Sequence, residues 1–151
     1  MLAAGEAVSR FAQERKIALP YTTQDPAELF VEPVTGLAGM VARRRTLKPG
    51  QQGVTPGPHS GLGLSSYVRA SSPLRRYADL LVHQQLRAYL AGGPLLDAQA
   101  VLERVAEAEA AAGNVRWAER LARQHWTLVY FLQHPGWRGL GVLVEKAYIG
   151  V

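Results

Sequence analysis

Cysteine is absent from the chain, which excludes disulfide scaffolds, thiol catalysis and cysteine-held zinc, and fits a reducing cytoplasm. The apolar runs are short and interrupted by charge, so no membrane-spanning segment is expected. The opening MLAAGEAVSRFAQERK lacks a basic stretch followed by an apolar one, so no signal peptide is expected. The four histidines share no i, i+4 spacing and no nearby carboxylate pattern, and no metal site is read from them. There is no Ser–His–Asp order and no glycine-rich phosphate loop, since the GLGL at Gly61 precedes no helix in the right register.

Acidic residues are missing altogether from positions 33–78, which hold Arg43, Arg44, Arg45, Lys48, Arg69, Arg75 and Arg76. Residues 1–32 are net −2 and residues 79–151 carry seven charges of each sign, so the formal +5 arises in that middle stretch. An acid-free window of this size points to an anionic partner. Fourteen of the seventeen basic residues are arginine, whose planar fork suits phosphate oxygens.

What is present is enough for a core. The chain has 151 residues and is 48% apolar, the size of one domain, or of one domain with a small appendage. Apolar spacing predicts a helix over 1–16. Asp25-Pro26 predicts a short turn to about Phe30, and Leu37 to Arg45 a second helix. Residues 46–63 hold three prolines and five glycines and read as an irregular functional or mobile loop, followed by a short strand over 63–68. A helix is expected with Ser72 as its cap, Pro73 at its first position and Gly92-Gly93 as its stop. Its inner stripe is Leu74, Tyr77, Ala78, Leu81, Gln85 and Ala88. Asp97 caps a further helix to Ala112. Gly113-Asn114 then interrupts, and another helix runs from Val115 to about Gln133 with Ala118, Leu121, Ala122, Leu128, Val129 and Leu132 inward. His134-Pro135-Gly136 ends it, and the remaining residues alternate like the first strands of a β unit.

One segment conflicts with helix electrostatics. A helix beginning at Pro73 would place Arg75 and Arg76 in its first turn, where the free N–H groups favour acids. A phosphate would satisfy the N–H groups, the dipole and both guanidinium forks. Internal pairing with Asp or Glu is the alternative. Arg69 and Tyr67 flank the segment, and an aromatic among arginines suits stacking on unpaired bases, whereas Tyr77 lies on the apolar stripe and reads as core. His59, in the basic loop, is the one histidine placed near a ligand, while His83 and His125 read as core or second-layer residues. Glu119, among Arg116, Arg120 and Arg123, reads as an intrahelical salt bridge or as an acceptor for ribose or a base edge.

The stretch HSGLGLSSYVRASSPLRRYADLLVHQQLRAYL resembles the signature of the ribonuclease II / ribonuclease R (RNB) family of exoribonucleases, H-x-G-L-x-L…Y…[ST]-S-P-[IL]-R-[RK]-Y-x-D…H. MLAAGEAVSRF is similar to that family's M-x-x-A-N-x-x-x-A-x-F helix, and NVRWAERLARQHW to its A-E-R helix. GWRGLGVLVEKAYIGV resembles the entry into the OB-type barrel that follows. The resemblance implies an α+β fold, mainly helical here. Residues 1–136 would be the C-terminal portion of an RNB-type catalytic domain, and residues 137–151 the beginning of an OB-type RNA-binding barrel. It implies processive 3′→5′ hydrolysis of single-stranded RNA to nucleoside 5′-monophosphates by a soluble, cytoplasmic enzyme that is a monomer when complete.

By the same resemblance Arg75 contacts the phosphate at the reacting end and aids catalysis, and Glu119 contacts the 3′-terminal nucleotide. Ser72 and Pro73 form the turn that aims the helix, and Arg76 holds a position that is basic in the family. Arg69, Tyr67, Ser72 and His59 join these as expected RNA contacts. The family's Mg²⁺ ligands are aspartates upstream of the first helix, so the metal ligands and the rest of the catalytic domain are expected outside this span. Alone, the span is expected to be inactive. The competing reading is a non-catalytic RNA-binding or scaffolding module that lacks the metal site.

Overall fold

In the computed structural model, residues 2–28 and 35–142 are described. They belong to two compact units. One comprises Met1–Pro26 with Lys48–Ala112, the other Ala27–Leu47 with Gly113–Val151.

The first unit starts with α1 (Leu2–Glu14), which buries Gly5, Ser9 and Ala12 along one stripe, at the spacing of a helix face. Its end is a Schellman turn. Lys16 donates its backbone N–H to Gln13 O (3.2 Å) and Ile17 to Ala12 O (2.9 Å), with Lys16 at φ 54° where glycine is usual. The turn brings Ile17 onto Ala12 in the main core, with Leu19, Tyr21, Val68 and Val82, flanked by Val8, Phe11, Ala70 and Leu86.

β1 (Tyr21–Thr23) pairs antiparallel with β2 (Gln51–Gly53), Tyr21 opposite Gly53 and Thr23 opposite Gln51. On its other side Tyr21 bridges to Val68, and Thr22 N donates to Tyr67 O (2.9 Å). The expected strand over 63–68 is therefore present only as isolated bridges. The irregular loop contains β2 and a 3-10 turn, Ser60–Leu62.

α3 (Tyr77–Leu90) starts later than expected, as described below. It stops at Gly92, φ 66°, where Gly92 N bonds Tyr89 O and Gly93 N bonds Ala88 O. Val82 enters the main core, while its neighbour Leu81 packs with Val101 and Val105 of the following helix in a second cluster. Gln85 is 2% exposed and fully bonded, its Nε2 donating to Ala18 O and Leu96 O (2.9 Å each) and its Oε1 accepting from Leu96 N (3.0 Å). Of the expected inner stripe, Leu81 and Gln85 are buried, whereas Leu74 is wholly exposed and Tyr77 is 41% exposed. The stripe assumed four more helical residues than exist.

α4 (Ala98–Gln133) is one continuous helix of 36 residues. Asp97 caps it, Oδ1 accepting from Ala100 N at 2.8 Å. Gly113-Asn114 does not interrupt it. An interior glycine costs about 1 kcal/mol relative to alanine, too little to break a helix composed largely of Ala, Glu, Arg and Leu.

The second unit contains α2 (Gly36–Thr46), with Arg43, Arg44 and Arg45 in its last turn, and α4 from Gly113 onward. The residues expected inward here are exposed, Leu121 at 45% and Leu132 at 81%, with Val129 alone half-buried. The amphipathic pattern identifies a face suited to cover, and among the described residues nothing covers it. Residues 137–142 contain no strand. The rest of the expected barrel entry, 143–151, and the end of the Asp25–Phe30 turn lie outside the described residues.

Candidate functional site

The segment 71–76 folds as a separate turn ahead of α3. Arg75 N and Arg76 N both donate to Ser72 O, at 3.2 and 3.1 Å. Arg76, in extended conformation (φ −130°, ψ 116°), is the residue before the helix. Ser72 is therefore not the cap, and Pro73 is not the first helical residue. The reason lies in Asp79, in the first turn of α3 and fully buried. Its Oδ2 accepts from Ser72 N at 2.8 Å and from Arg76 Nη2 at 2.7 Å. An acid thus occupies the positive end of the helix, as the dipole favours, and the conflict read from the sequence disappears.

The two arginines have different surroundings. Arg76 is held by Asp79 and by Ser71 Oγ (3.2 Å), with 32% of its side chain exposed, so internal pairing describes it. Arg75 is exposed and, among the described residues, makes no side-chain hydrogen bond or ion pair. Its fork is available to an anion.

The neighbouring expected contacts are more tightly built in. Arg69 Nε donates to Thr22 Oγ1 at 3.2 Å. Tyr67 is half-buried, with its ring edge-on to His59 at 5.9 Å and in the path of any side chain at Gly5. His59 is locked by its N–H to Leu64 O (2.8 Å). Burial, and secondarily the charge of Arg69, hold its imidazole below the usual 6.5 despite an opposing backbone hydrogen bond. The structure thus brings Ser72, Arg75 and Arg76 together on one turn, and His59, Tyr67 and Arg69 together beside β1.

Glu119 lies in the second unit, apart in the chain's organisation from the turn. It is exposed, and among the described residues it has no ion-pair partner. The intrahelical salt bridge read for it is absent there. Arg43, Arg44 and Arg45 also belong to the second unit, where they suit the negative end of α2. The acid-free window is divided between two units.

Asp79, three residues after Arg76 at a helical pairing distance, reads from the sequence as a residue that orients arginine or tyrosine groups rather than a metal ligand. Its bonds to Arg76 and to Ser72 N agree with that. One position was missed. Gln24 clamps the basic loop, with Nε2 on Lys48 O (2.6 Å) and Oε1 taking Gly61 N (3.0 Å), and nothing in its local pattern marks it. His83, read as core or second-layer, is half-buried with one ring nitrogen donating to Ala70 O at 2.7 Å, whereas His125, read the same way, is exposed.

Among the described residues no three His, Asp or Glu side chains come close enough to hold a metal ion. Asp79 is committed to an arginine and a backbone N–H, so these donors do not fit Mg²⁺. No helix of the described residues is long and apolar enough to cross a membrane.

Residues 1–92 match the RNB domain family model. An uncharacterised ribonuclease of Synechocystis is 33% identical over 148 residues, covering 93% of this chain and 22% of the relative. Ribonuclease II of Arabidopsis chloroplasts and mitochondria is 33% identical over 98 residues, covering 62% of this chain and 12% of the relative. The chain thus spans about a fifth or less of these relatives' length. Among solved structures, an active-site mutant of the Dss1 exoribonuclease of Candida glabrata superposes with a TM-score of 0.78 at 23% identity, covering 89% of this chain and 20% of that one. Ribonuclease R of Mycoplasma genitalium, in complex with ribose-methylated single-stranded RNA, gives 0.67 at 22% identity, covering 89% and 28%. With a matching family model over more than half its length, and the SSPLRR turn built as an anion-ready element, the chain belongs to the RNB-domain family.

Proposed function

We propose that the chain is the phosphate-binding part of a 3′→5′ exoribonuclease that degrades single-stranded RNA to nucleoside 5′-monophosphates. The observation that carries this reading is Arg75, a guanidinium without a partner among the described residues, on a turn fixed from behind by Asp79. Relatives named ribonuclease support RNA as the polymer, and the RNA bound to the Mycoplasma protein supports the single-stranded form.

Arg75 positions the scissile phosphate and stabilises the charge that develops on it. Glu119 accepts a hydrogen bond from the 3′-terminal nucleotide. Arg69, Arg76, Tyr67, Ser72 and His59 shape the approach, the last two mainly through the backbone. Residues 1–136 form the C-terminal portion of the catalytic domain and 137–151 lead into an OB-type barrel. The Mg²⁺ expected of such an enzyme is held by carboxylates other than the described ones. Cytoplasmic placement is supported by the cysteine-free composition.

The 151 residues alone release no mononucleotides. Mg²⁺-dependent digestion of single-stranded RNA by the pure chain would overturn this division of labour. In the complete enzyme, Arg75→Ala lowers kcat by about 10²-fold or more while changing RNA affinity far less. A loss confined to affinity moves Arg75 from catalysis to binding.

A further inference from the structure

The Asp79 carboxylate is fully buried, a costly position for an acid unless its partners justify it. Its bonding is unusual for a pair that serves stability alone. The strong form of an arginine–carboxylate pair is bidentate, one oxygen to each guanidinium nitrogen. Here a single oxygen, Oδ2, takes both Ser72 N (2.8 Å) and Arg76 Nη2 (2.7 Å). Asp79 Oδ1 and Arg76 Nε are buried with no hydrogen-bond partner among the described residues. The carboxylate is set by the turn as much as by the guanidinium.

Ser72 is the hub of this arrangement. Asp79 holds its N–H, and its carbonyl accepts from both Arg75 N and Arg76 N. These bonds leave the backbone at Arg75 little freedom, while its side chain is unbonded among the described residues. Asp79 also neutralises Arg76, so Arg75 is the one cation of the turn without a counter-charge among the described residues.

We propose that Asp79 is a positioning residue for phosphate recognition, acting through the Ser72 hub to present Arg75 and by removing Arg76 from competition for the same anion. This rests on the reading of Arg75 given above. Asp79 touches neither substrate nor metal. Its contribution to RNA binding passes through Arg75, so it vanishes when Arg75 is gone, which a residue that merely supports the fold would not show.

The test is a double-mutant cycle on the 151-residue chain, read by fluorescence anisotropy with a labelled oligouridylate of about ten nucleotides. Arg75→Ala weakens binding about tenfold, the scale of a charge-assisted phosphate contact. Asp79→Asn weakens it about fivefold, and the double variant stays within about twofold of Arg75→Ala alone. Circular dichroism checks that each variant is folded. Asp79→Glu, which keeps the charge and shifts the carboxylate, gives the same non-additivity should Asp79→Asn fold poorly. Losses that add across the cycle overturn the inference, as does tighter binding by Asp79→Asn, which would mean that Arg76 had been released to the RNA. Absent binding by the unsubstituted chain, or an affinity unmoved by Arg75→Ala, overturns the reading of Arg75 itself.

Discussion

Replacing a helical glycine by alanine has opposite consequences at Gly5 and Gly113. In both helices the exchange gains about 1 kcal/mol of intrinsic propensity. At Gly113 the added methyl meets, among the described residues, only Arg116 Nη2, 4.0 Å away, so the gain is kept. At Gly5 it would run into the Tyr67 ring and the Val68 carbonyl oxygen. The ring can turn, but the carbonyl belongs to a segment fixed by the Tyr21–Val68 bridge and the Thr22 N–Tyr67 O bond. Overpacking of this kind costs about 1–3 kcal/mol, and because backbone must move the upper part of that range applies, leaving Gly5→Ala about 1–2 kcal/mol less stable after the propensity gain. Urea unfolding followed by circular dichroism reads the Gly5 variant. Amide hydrogen exchange across residues 110–117 reads the Gly113 variant, with about fivefold slower exchange expected for 1 kcal/mol. A stabilised Gly5→Ala protein would refute the claim that α1 lies this close to residues 67 and 68.

Gln85→Leu strands Ala18 O and both backbone groups of Leu96 in a part-buried setting, and at about 1 kcal/mol per lost bond it costs about 3 kcal/mol in urea unfolding. A loss below about 1 kcal/mol would show that solvent replaces those bonds. His59 makes stability pH-dependent. Its folded pKa lies below the usual 6.5, so the unfolded chain takes up the proton first, and stability present above 6.5 is lost as pH falls from there towards the depressed value. His59→Gln removes that component from a series of thermal melts, and an unchanged series counts against the partly buried imidazole.

Positions whose partners are close in sequence were readable from it. The Asp97 cap and the Gly92 stop follow from rules that act within a turn or two, and the structure has both. The first helix is present, but it buries Gly5, Ser9 and Ala12 and leaves Leu2, Ala3 and Ala7 exposed. The Ser72 cap failed because its competitor, Asp79, acts across seven residues, and local capping rules do not weigh an acid about two helical turns further on. Gly113-Asn114 failed because breaker residues were weighed without the helix on either side. The inner face of the second half of α4 was inferred correctly as apolar, but whether a face is covered depends on chain elsewhere. At the site, the sequence singled out Arg75 by a helix conflict that the structure removes, since Arg75 lies on a turn ahead of the helix. The separate role of Arg76 was not legible, because a sequence shows charges and not which of them are already paired.

The first unit is discontinuous along the chain, leaving at Pro26 and resuming at Lys48. Its neck is closed from within, by the Gln24–Lys48 hydrogen bond and the Thr23–Gln51 pairing. Residues 27–47 are therefore an excursion from a unit that does not need them to close. Loop-closure entropy makes each doubling of such an excursion cost only about 0.6 kcal/mol. Length and sequence there are free to drift, or to accept an inserted module, without disturbing the turn that presents Arg75. The same layout imposes an order on synthesis. Val8 and Phe11 of α1 pack against a core that includes Val68 and Val82, with Leu86 beside it, so that core is complete only once the chain as far as α3 has been made.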